Sequence, residues 1–175
     1  MKTLRILLVL VAVILSGFSR DSQRTGAGVV VPFKFDGVII TNPSAGLTEC
    51  TPAAVPGQIP YIAHSRTGWL KGNQTHGGKL ITEQSTWEIF SCNTNFTTML
   101  NTSQIEGVNT VANGDSYFYT CIMIVNIATN AVTLNITVTG GVGRFDGVTG
   151  QAEFTGVHTE SGIPVSGEGF MSFPK

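Results

Sequence analysis

Charge and leucine are both scarce in this sequence of 175 residues. Charged side chains make up 12% of the chain, and the formal net charge is −1 at pH 7, which leaves no basic field for nucleic acid. We therefore expect no nucleic-acid partner. Only five leucines follow residue 19, against 47 Val, Ile and Thr residues. This composition favours strands and excludes a helical bundle, a coiled coil, a disordered tail and a polytopic membrane protein.

The first 19 residues have the pattern of a secretory signal peptide. Lys2 and Arg5 precede the apolar run Ile6–Leu15, and a small-x-small sequence ending at Ser19 suits signal peptidase. A helix of that length rises only ~15 Å, against ~30 Å of bilayer hydrocarbon. We therefore expect cleavage after Ser19, no membrane span in the mature chain, and a secreted protein, either periplasmic or extracellular.

Cysteine is rare, and its three positions allow three different single bridges. Export would place them where disulfides persist. In an up-and-down sheet, the connection after the first strand and the end of the third strand lie at the same end. Cys50 lies in that connection and Cys92 closes the third strand, so we predict a Cys50–Cys92 bridge. Cys121 lies within the apolar run Tyr117–Val125, and we expect it to be buried and unpaired.

Strand patterns fill a single predicted domain, residues 29–175, after a polar leader over residues 20–28 that we expect to be flexible. Residues 42–60 contain four of the seven prolines and form a long connection. Between Val132 and Val138, apolar residues alternate with Thr and Asn, which predicts a strand with one buried face. The predicted strands are Phe33–Ile40, Tyr61–Gln84 (one bent strand or two short ones), Trp87–Cys92, Thr102–Val111, Ser116–Ile127, Val132–Val138, Arg144–Thr159 and Ile163–Phe173.

About eight strands with short connections and no helical pattern predict an all-β fold. The expected architecture is a closed antiparallel up-and-down β-barrel, because closure removes the exposed edges of so long a sheet. Glycines inside the predicted strands fit a strongly coiled sheet. A β-sandwich built from the same strands is the alternative, because periodicity does not distinguish the two.

A glycine-rich segment after the Val132–Val138 strand carries a resemblance to a known family. Its pattern, Gly-Gly-x-Gly-x-Phe-x-Gly-x-x-Gly, resembles the strand-turn-strand signature of the allene oxide cyclase and dirigent barrels. The glycines allow a tight turn and bulges where the phenylalanine folds inward. The matching residues are Gly140, Gly141, Gly143, Phe145, Gly147 and Gly150. Residues 72–79 and 112–115 also resemble exported bacterial proteins of this barrel type, most of them uncharacterised.

The resemblance implies an eight-stranded barrel, often a homotrimer, with an apolar cavity at one end. Cyclases of this type isomerise a fatty-acid epoxide, and dirigent proteins steer the coupling of phenoxy radicals. Their active residues lie outside the matching segment, so the resemblance transfers no catalytic residue to this chain. The first strand, where the cyclases place an acidic residue, offers only Asp36.

Five residues are candidates for a cavity or its mouth. His76 and Lys79 lie on a glycine-bent strand and could bind an anionic or carbonyl group; alternatively, His76 bonds backbone freed by a bulge and Lys79 is solvated. Trp87, Tyr117 and Tyr119 could line a ligand cavity or simply fill the barrel. The spacing of His and Cys shows no metal motif, so we expect no metal and no cofactor.

These observations favour an exported barrel without catalysis. We expect it to bind a small hydrophobic ligand or to act as a surface interaction module. The alternative is an isomerase or cyclase acting on a lipid-like substrate. Such an enzyme would require a desolvated ionisable group in a cavity to stabilise charge in the transition state.

Overall fold

The computed structural model of the chain describes residues 28–50 and 63–175. The predicted signal peptide, residues 1–19, and all of the predicted leader except Gly28 lie outside the described residues. Among the described residues, no helix is long and apolar enough to cross a membrane. In the part of the chain that the structure describes, strands dominate, and there are three short 3-10 helices, at Pro43–Ala45, Thr82–Gln84 and Gly143–Phe145. The strands are β1 (Val29–Thr41), β2 (Leu47–Glu49), β3 (Ala63–Ser65), β4 (Thr67–Gln74), β5 (Gly78–Lys79), β6 (Thr86–Asn95), β7 (Leu100–Thr110), β8 (Ser116–Asn126), β9 (Ala131–Val142), β10 (Thr149–Val157) and β11 (Ile163–Phe173).

Eight of these strands close into an antiparallel ring, which confirms the predicted barrel. The strand order is β1-β11-β10-β9-β8-β7-β6-β4, and β1 also pairs with β4. The long strand β1 makes this closure possible, because residues 29–39 pair with β11 while residues 35–41 pair with β4. Each strand of the ring therefore has a partner on both sides, which excludes the sandwich. Strand β5 extends β4 in a hairpin, and β2 and β3 form a separate two-stranded sheet.

The glycine-rich segment differs in detail from its prediction. We expected a turn at residues 140–143 and a strand from Arg144, but β9 continues to Val142 and β10 begins only at Thr149. The turn lies between them, because Gly143 and Gly147 adopt φ of 67° and 66°, the left-handed region that glycine tolerates. This turn folds Phe145 into the barrel, where its side chain is fully buried.

Glycines on the inner face make room for large aromatic side chains. Gly68, Trp87, Gly107 and Tyr119 are consecutive partners across four neighbouring strands. A Cβ atom at Gly68 would meet the indole of Trp87, and one at Gly107 would meet the ring of Tyr119. The rings therefore lie flat over backbone that carries no side chain, and a narrow barrel accommodates both.

The two ends of the barrel differ. The end defined by Phe145, hereafter the Phe145 end, is plugged by side chains that are at most 2% exposed, including Val111, Val148 and Met171. The opposite end, hereafter the disulfide end, has the β2–β3 hairpin and the Cys50–Cys92 bridge. Any opening into the interior must therefore lie at the disulfide end.

Candidate functional site

A cavity lies inside the barrel, between its middle and the disulfide end. Its volume is about 50 Å³, several times what a single water requires but far below the ~300–1,000 Å³ of pockets that enclose drug-sized ligands. All eight strands of the ring contribute to its wall, and most of the wall is apolar. Apolar residues on the wall include Ile39, Leu70, Ile105, Met123, Leu134 and Val165.

The cavity is partly open at the disulfide end. Thr41 at the end of β1, Ser65 at the end of β3 and His158 just after β10 line this mouth. Thr41 and His158 are exposed, so the mouth is polar while the wall below it is apolar. A molecule that enters here leaves water progressively as it moves inward, and apolar burial of this kind is worth about 25 cal/mol per Å².

The three aromatic candidates all lie inside the barrel. Trp87 and Tyr119 line the cavity, and Tyr117 lies deeper, towards the Phe145 end. The indole Nε1 of Trp87 donates to the backbone carbonyl of Trp69 at 3.3 Å. The ring of Tyr117 contacts those of Tyr119 and Phe145, with centroids 6.5 and 5.3 Å away. Tyr117 therefore fills the barrel, while Trp87 and Tyr119 form part of the cavity wall.

A buried chain of hydrogen bonds lies on the Phe145 side of the cavity and reaches its floor at Asn109. Asn109 Nδ2 donates to the hydroxyl of Tyr117 at 2.9 Å, and that hydroxyl donates to Gln74 Oε1 at 2.6 Å. Of these three residues, only Asn109 lines the cavity. Among the described residues, its Oδ1 is the one buried side-chain oxygen or nitrogen without a hydrogen-bond partner. Native proteins rarely leave such an atom unsatisfied, because the lost hydrogen bond to water costs about 1–3 kcal/mol.

The buried ionisable groups are held in their neutral forms. Burial raises the pKa of Cys121 from 9.0 to about 12. Burial also raises the pKa of Tyr117, partly offset by its hydrogen bond to Asn109. For Tyr119 the pKa is raised by burial and then by the neighbouring Cys121 and Tyr117. The cavity wall therefore carries dipoles but no charge from these groups at neutral pH.

His76 and Lys79 do not line this cavity. His76 lies exposed in the turn between β4 and β5, and its Nε2 donates to the carbonyl of Pro32 at 2.7 Å. The backbone N–H of Thr75 donates to the carbonyl of Lys34 at 3.0 Å. These contacts hold β1 against the turn after β4, beyond the last paired residues of the two strands. His76 therefore bonds the backbone of β1. Lys79 is exposed on the edge strand β5.

The predicted bridge is present in the structure. Cys50 and Cys92 form a disulfide with a sequence separation of 42, and Cys121 is buried and unpaired. Asn101 Nδ2 donates to both bridged sulfurs, at 3.2 and 3.1 Å. The bridge therefore ties the connection after β1 to strand β6 beside the cavity mouth.

Sequence reasoning missed Asn109. It lies in the predicted strand Thr102–Val111, two positions from Gly107 and four from the apolar Ile105, so its parity alone places it on the inner face. The available signal was a polar side chain at an inward position, but Asn101 and Ser103 are buried on the same face, so Asn109 did not stand out. The inward position between Ile105 and Asn109 is Gly107, which has no apolar side chain. The inward face of this strand is therefore hard to recognise from the sequence.

Nothing among the described residues gathers three or more His, Cys, Asp or Glu side chains into a possible metal site. In comparisons with known proteins, no family model matches the chain. A search of curated proteins also finds no match. The resemblance to the allene oxide cyclase and dirigent barrels therefore stays a prediction.

Proposed function

We propose that this chain is an exported β-barrel that binds a small, mostly apolar molecule in the cavity at its disulfide end. The observation that carries the proposal is an apolar void inside an otherwise packed barrel, with a mouth on the surface. Protein interiors are close-packed, and a void left empty costs about 24 cal/mol per Å³, or roughly 1 kcal/mol here. A ligand that fills the void recovers that free energy. Export is proposed from the sequence of residues 1–19.

The volume limits the ligand. About 50 Å³ admits a group of a few heavy atoms, so a longer molecule would place one end inside and extend through the mouth. The polar rim at Thr41 and His158 suits a molecule whose outer portion stays in water. The proposed ligand class is therefore a small apolar compound, or the apolar end of a longer one.

The positions of the acidic residues favour ligand binding over the isomerase alternative. Asp36 and Glu153 point outward and are exposed. The ionisable groups on the described wall are Tyr119 and Cys121, whose pKa values burial raises, and His158 at the exposed mouth. A cyclase needs a desolvated acid or base where charge develops in the transition state. This wall suits binding of a neutral molecule better than proton transfer.

The proposal is tested by a ligand screen on a matched pair of variants at one wall position. The purified protein with its disulfide intact is screened against lipids, phenolics and terpenoids by thermal shift and native mass spectrometry. Cys121→Met adds volume to the wall and should abolish binding, because methionine adapts to fill irregular gaps. Cys121→Ala enlarges the void and should preserve binding.

Two results would contradict the proposal. One is the absence of any ligand across the panel. The other is a ligand whose affinity is the same in Cys121→Met and Cys121→Ala, which would place its site on the outer surface and favour an interaction module. Sedimentation of the same preparation tests the homotrimer that the resemblance implies.

A further inference from the structure

The hydrogen bonds of Tyr117 with Gln74 and Asn109 orient the amide of Asn109 inside the barrel. The hydroxyl of Tyr117 has one hydrogen, which it gives to Gln74 Oε1 at 2.6 Å. The same hydroxyl must therefore accept its second hydrogen bond, and it does so from Asn109 Nδ2 at 2.9 Å. With Nδ2 engaged by Tyr117, Oδ1 is the atom of this amide that is left without a partner, on a residue that lines the cavity.

Asn109 Oδ1 lacks a hydrogen-bond partner in a place where water cannot reach it freely. The residue is 4% exposed, and it lies on the wall of the cavity. The nearest wall neighbour on the next strand is Tyr119, whose ring covers Gly107 instead of turning towards Asn109. A buried acceptor of this kind gains most from a donor that arrives with a ligand.

We infer that the ligand carries a hydroxyl or N–H group, and that this group donates a hydrogen bond to Asn109 Oδ1 at the floor of the cavity. This inference rests on the proposed function, because it names the polar group of the same ligand. The donor is neutral, because no Asp or Glu is among the described residues of the wall to balance a cation. A ketone or ether offers only acceptors, which would leave two oxygens facing each other without a hydrogen. A small alcohol therefore fits and the corresponding ketone does not.

The test compares 3-pentanol with 3-pentanone, two achiral probes of nearly equal size, of which the first carries a hydroxyl donor and the second only a carbonyl acceptor. Dissociation constants are measured by NMR titration of the isotope-labelled protein with its bridge intact, following the side-chain amide signals of Asn109. We expect 3-pentanol to bind about tenfold more tightly, the ratio that one satisfied buried acceptor produces. The amide signals of Asn109 should shift with the alcohol and not with the ketone.

Two variants separate the hydrogen bond from the shape of the cavity. Asn109→Leu has the same branching and number of side-chain heavy atoms but is larger, and it removes the acceptor while the hydroxyl of Tyr117 keeps its bond to Gln74; its size should weaken the binding of both probes alike. It should reduce the alcohol-to-ketone ratio to about one. Met123→Leu changes the apolar wall with little change in volume. It should alter both affinities together and leave the ratio near tenfold.

The outcomes distinguish the inference from the proposed function. If neither probe binds, the inference fails, and the ligand screen described above decides the proposed function separately. If both bind with a ratio near one in the wild-type protein, or if the ratio survives Asn109→Leu, the inference fails and binding in the cavity stands. A crystal structure with 3-pentanol that shows only a water on Asn109 Oδ1 also overturns the inference. The wild-type ratio decides the question even if Asn109→Leu does not fold.

Discussion

Gly107→Ala is expected to destabilise the barrel through one side chain, Tyr119. A Cβ atom at Gly107 would come within 2.7 Å of Cε1 of that ring and closer still to Cζ and the hydroxyl oxygen. The ring would have to move towards the cavity. We expect the free energy of unfolding to fall by about 1–3 kcal/mol, the range for overpacked cores. The sign of this change in the free energy of unfolding is informative, because alanine in a strand normally stabilises a protein by roughly 0.5–1 kcal/mol relative to glycine.

A double-mutant cycle isolates the contact between these two residues. Tyr119→Leu removes the two ring carbons and the hydroxyl oxygen that a Cβ at Gly107 would meet. In that background Gly107→Ala should be neutral or stabilising by up to about 1 kcal/mol. Urea denaturation of the four proteins at pH 7 should therefore give a coupling free energy of about 1–4 kcal/mol. If the destabilisations caused by Gly107→Ala and Tyr119→Leu add to within roughly 0.5 kcal/mol, the idea that Gly107 makes room for the ring of Tyr119 is refuted.

Two further perturbations test the bridge and the buried thiol. Cys50→Ala with Cys92→Ala should lower the free energy of unfolding by about 4 kcal/mol, the chain-entropy value for the observed separation of 42 residues; a loss below about 1 kcal/mol in urea denaturation would contradict this. The pKa of Cys121 is about 12 in the folded protein, against 9.0 for an ordinary cysteine thiol. The protonated thiol therefore contributes its full stabilisation below pH 9, and this contribution is lost as the pH rises from 9 to 12. From pH 8 to 10 the wild-type protein should therefore lose about 1.4 kcal/mol more than Cys121→Val. Equal losses would show that the thiol ionises freely in the folded protein.

The strands were predictable because their signals are local. The alternation from Val132 to Val138 fixes which side chains share a face within a single strand. The Cys50–Cys92 bridge was predictable because strand order in a meander decides which connections share an end of the sheet. Phe145 was expected to fold inward from the glycines around it, and it is fully buried.

The cavity floor was not predictable from the same signals. The polar chain joins Gln74 on β4, Asn109 on β7 and Tyr117 on β8. Residues 74 and 117 are 43 positions apart, and no local pattern relates them. His76 bonds the backbone, as one of its two interpretations predicted, but its partner could not be identified from the sequence, because the bond to the carbonyl of Pro32 depends on where the β1–β4 ladder ends.

By itself, the sequence determined that this chain forms antiparallel strands with one apolar face each, and which ends of those strands lie together. Only the tertiary structure decided how much space remains between the inward side chains and which polar atom borders that space. The physical reason is that strand periodicity depends on neighbours two residues apart. A cavity and its unsatisfied oxygen depend on the volumes and registers of all eight strands at once.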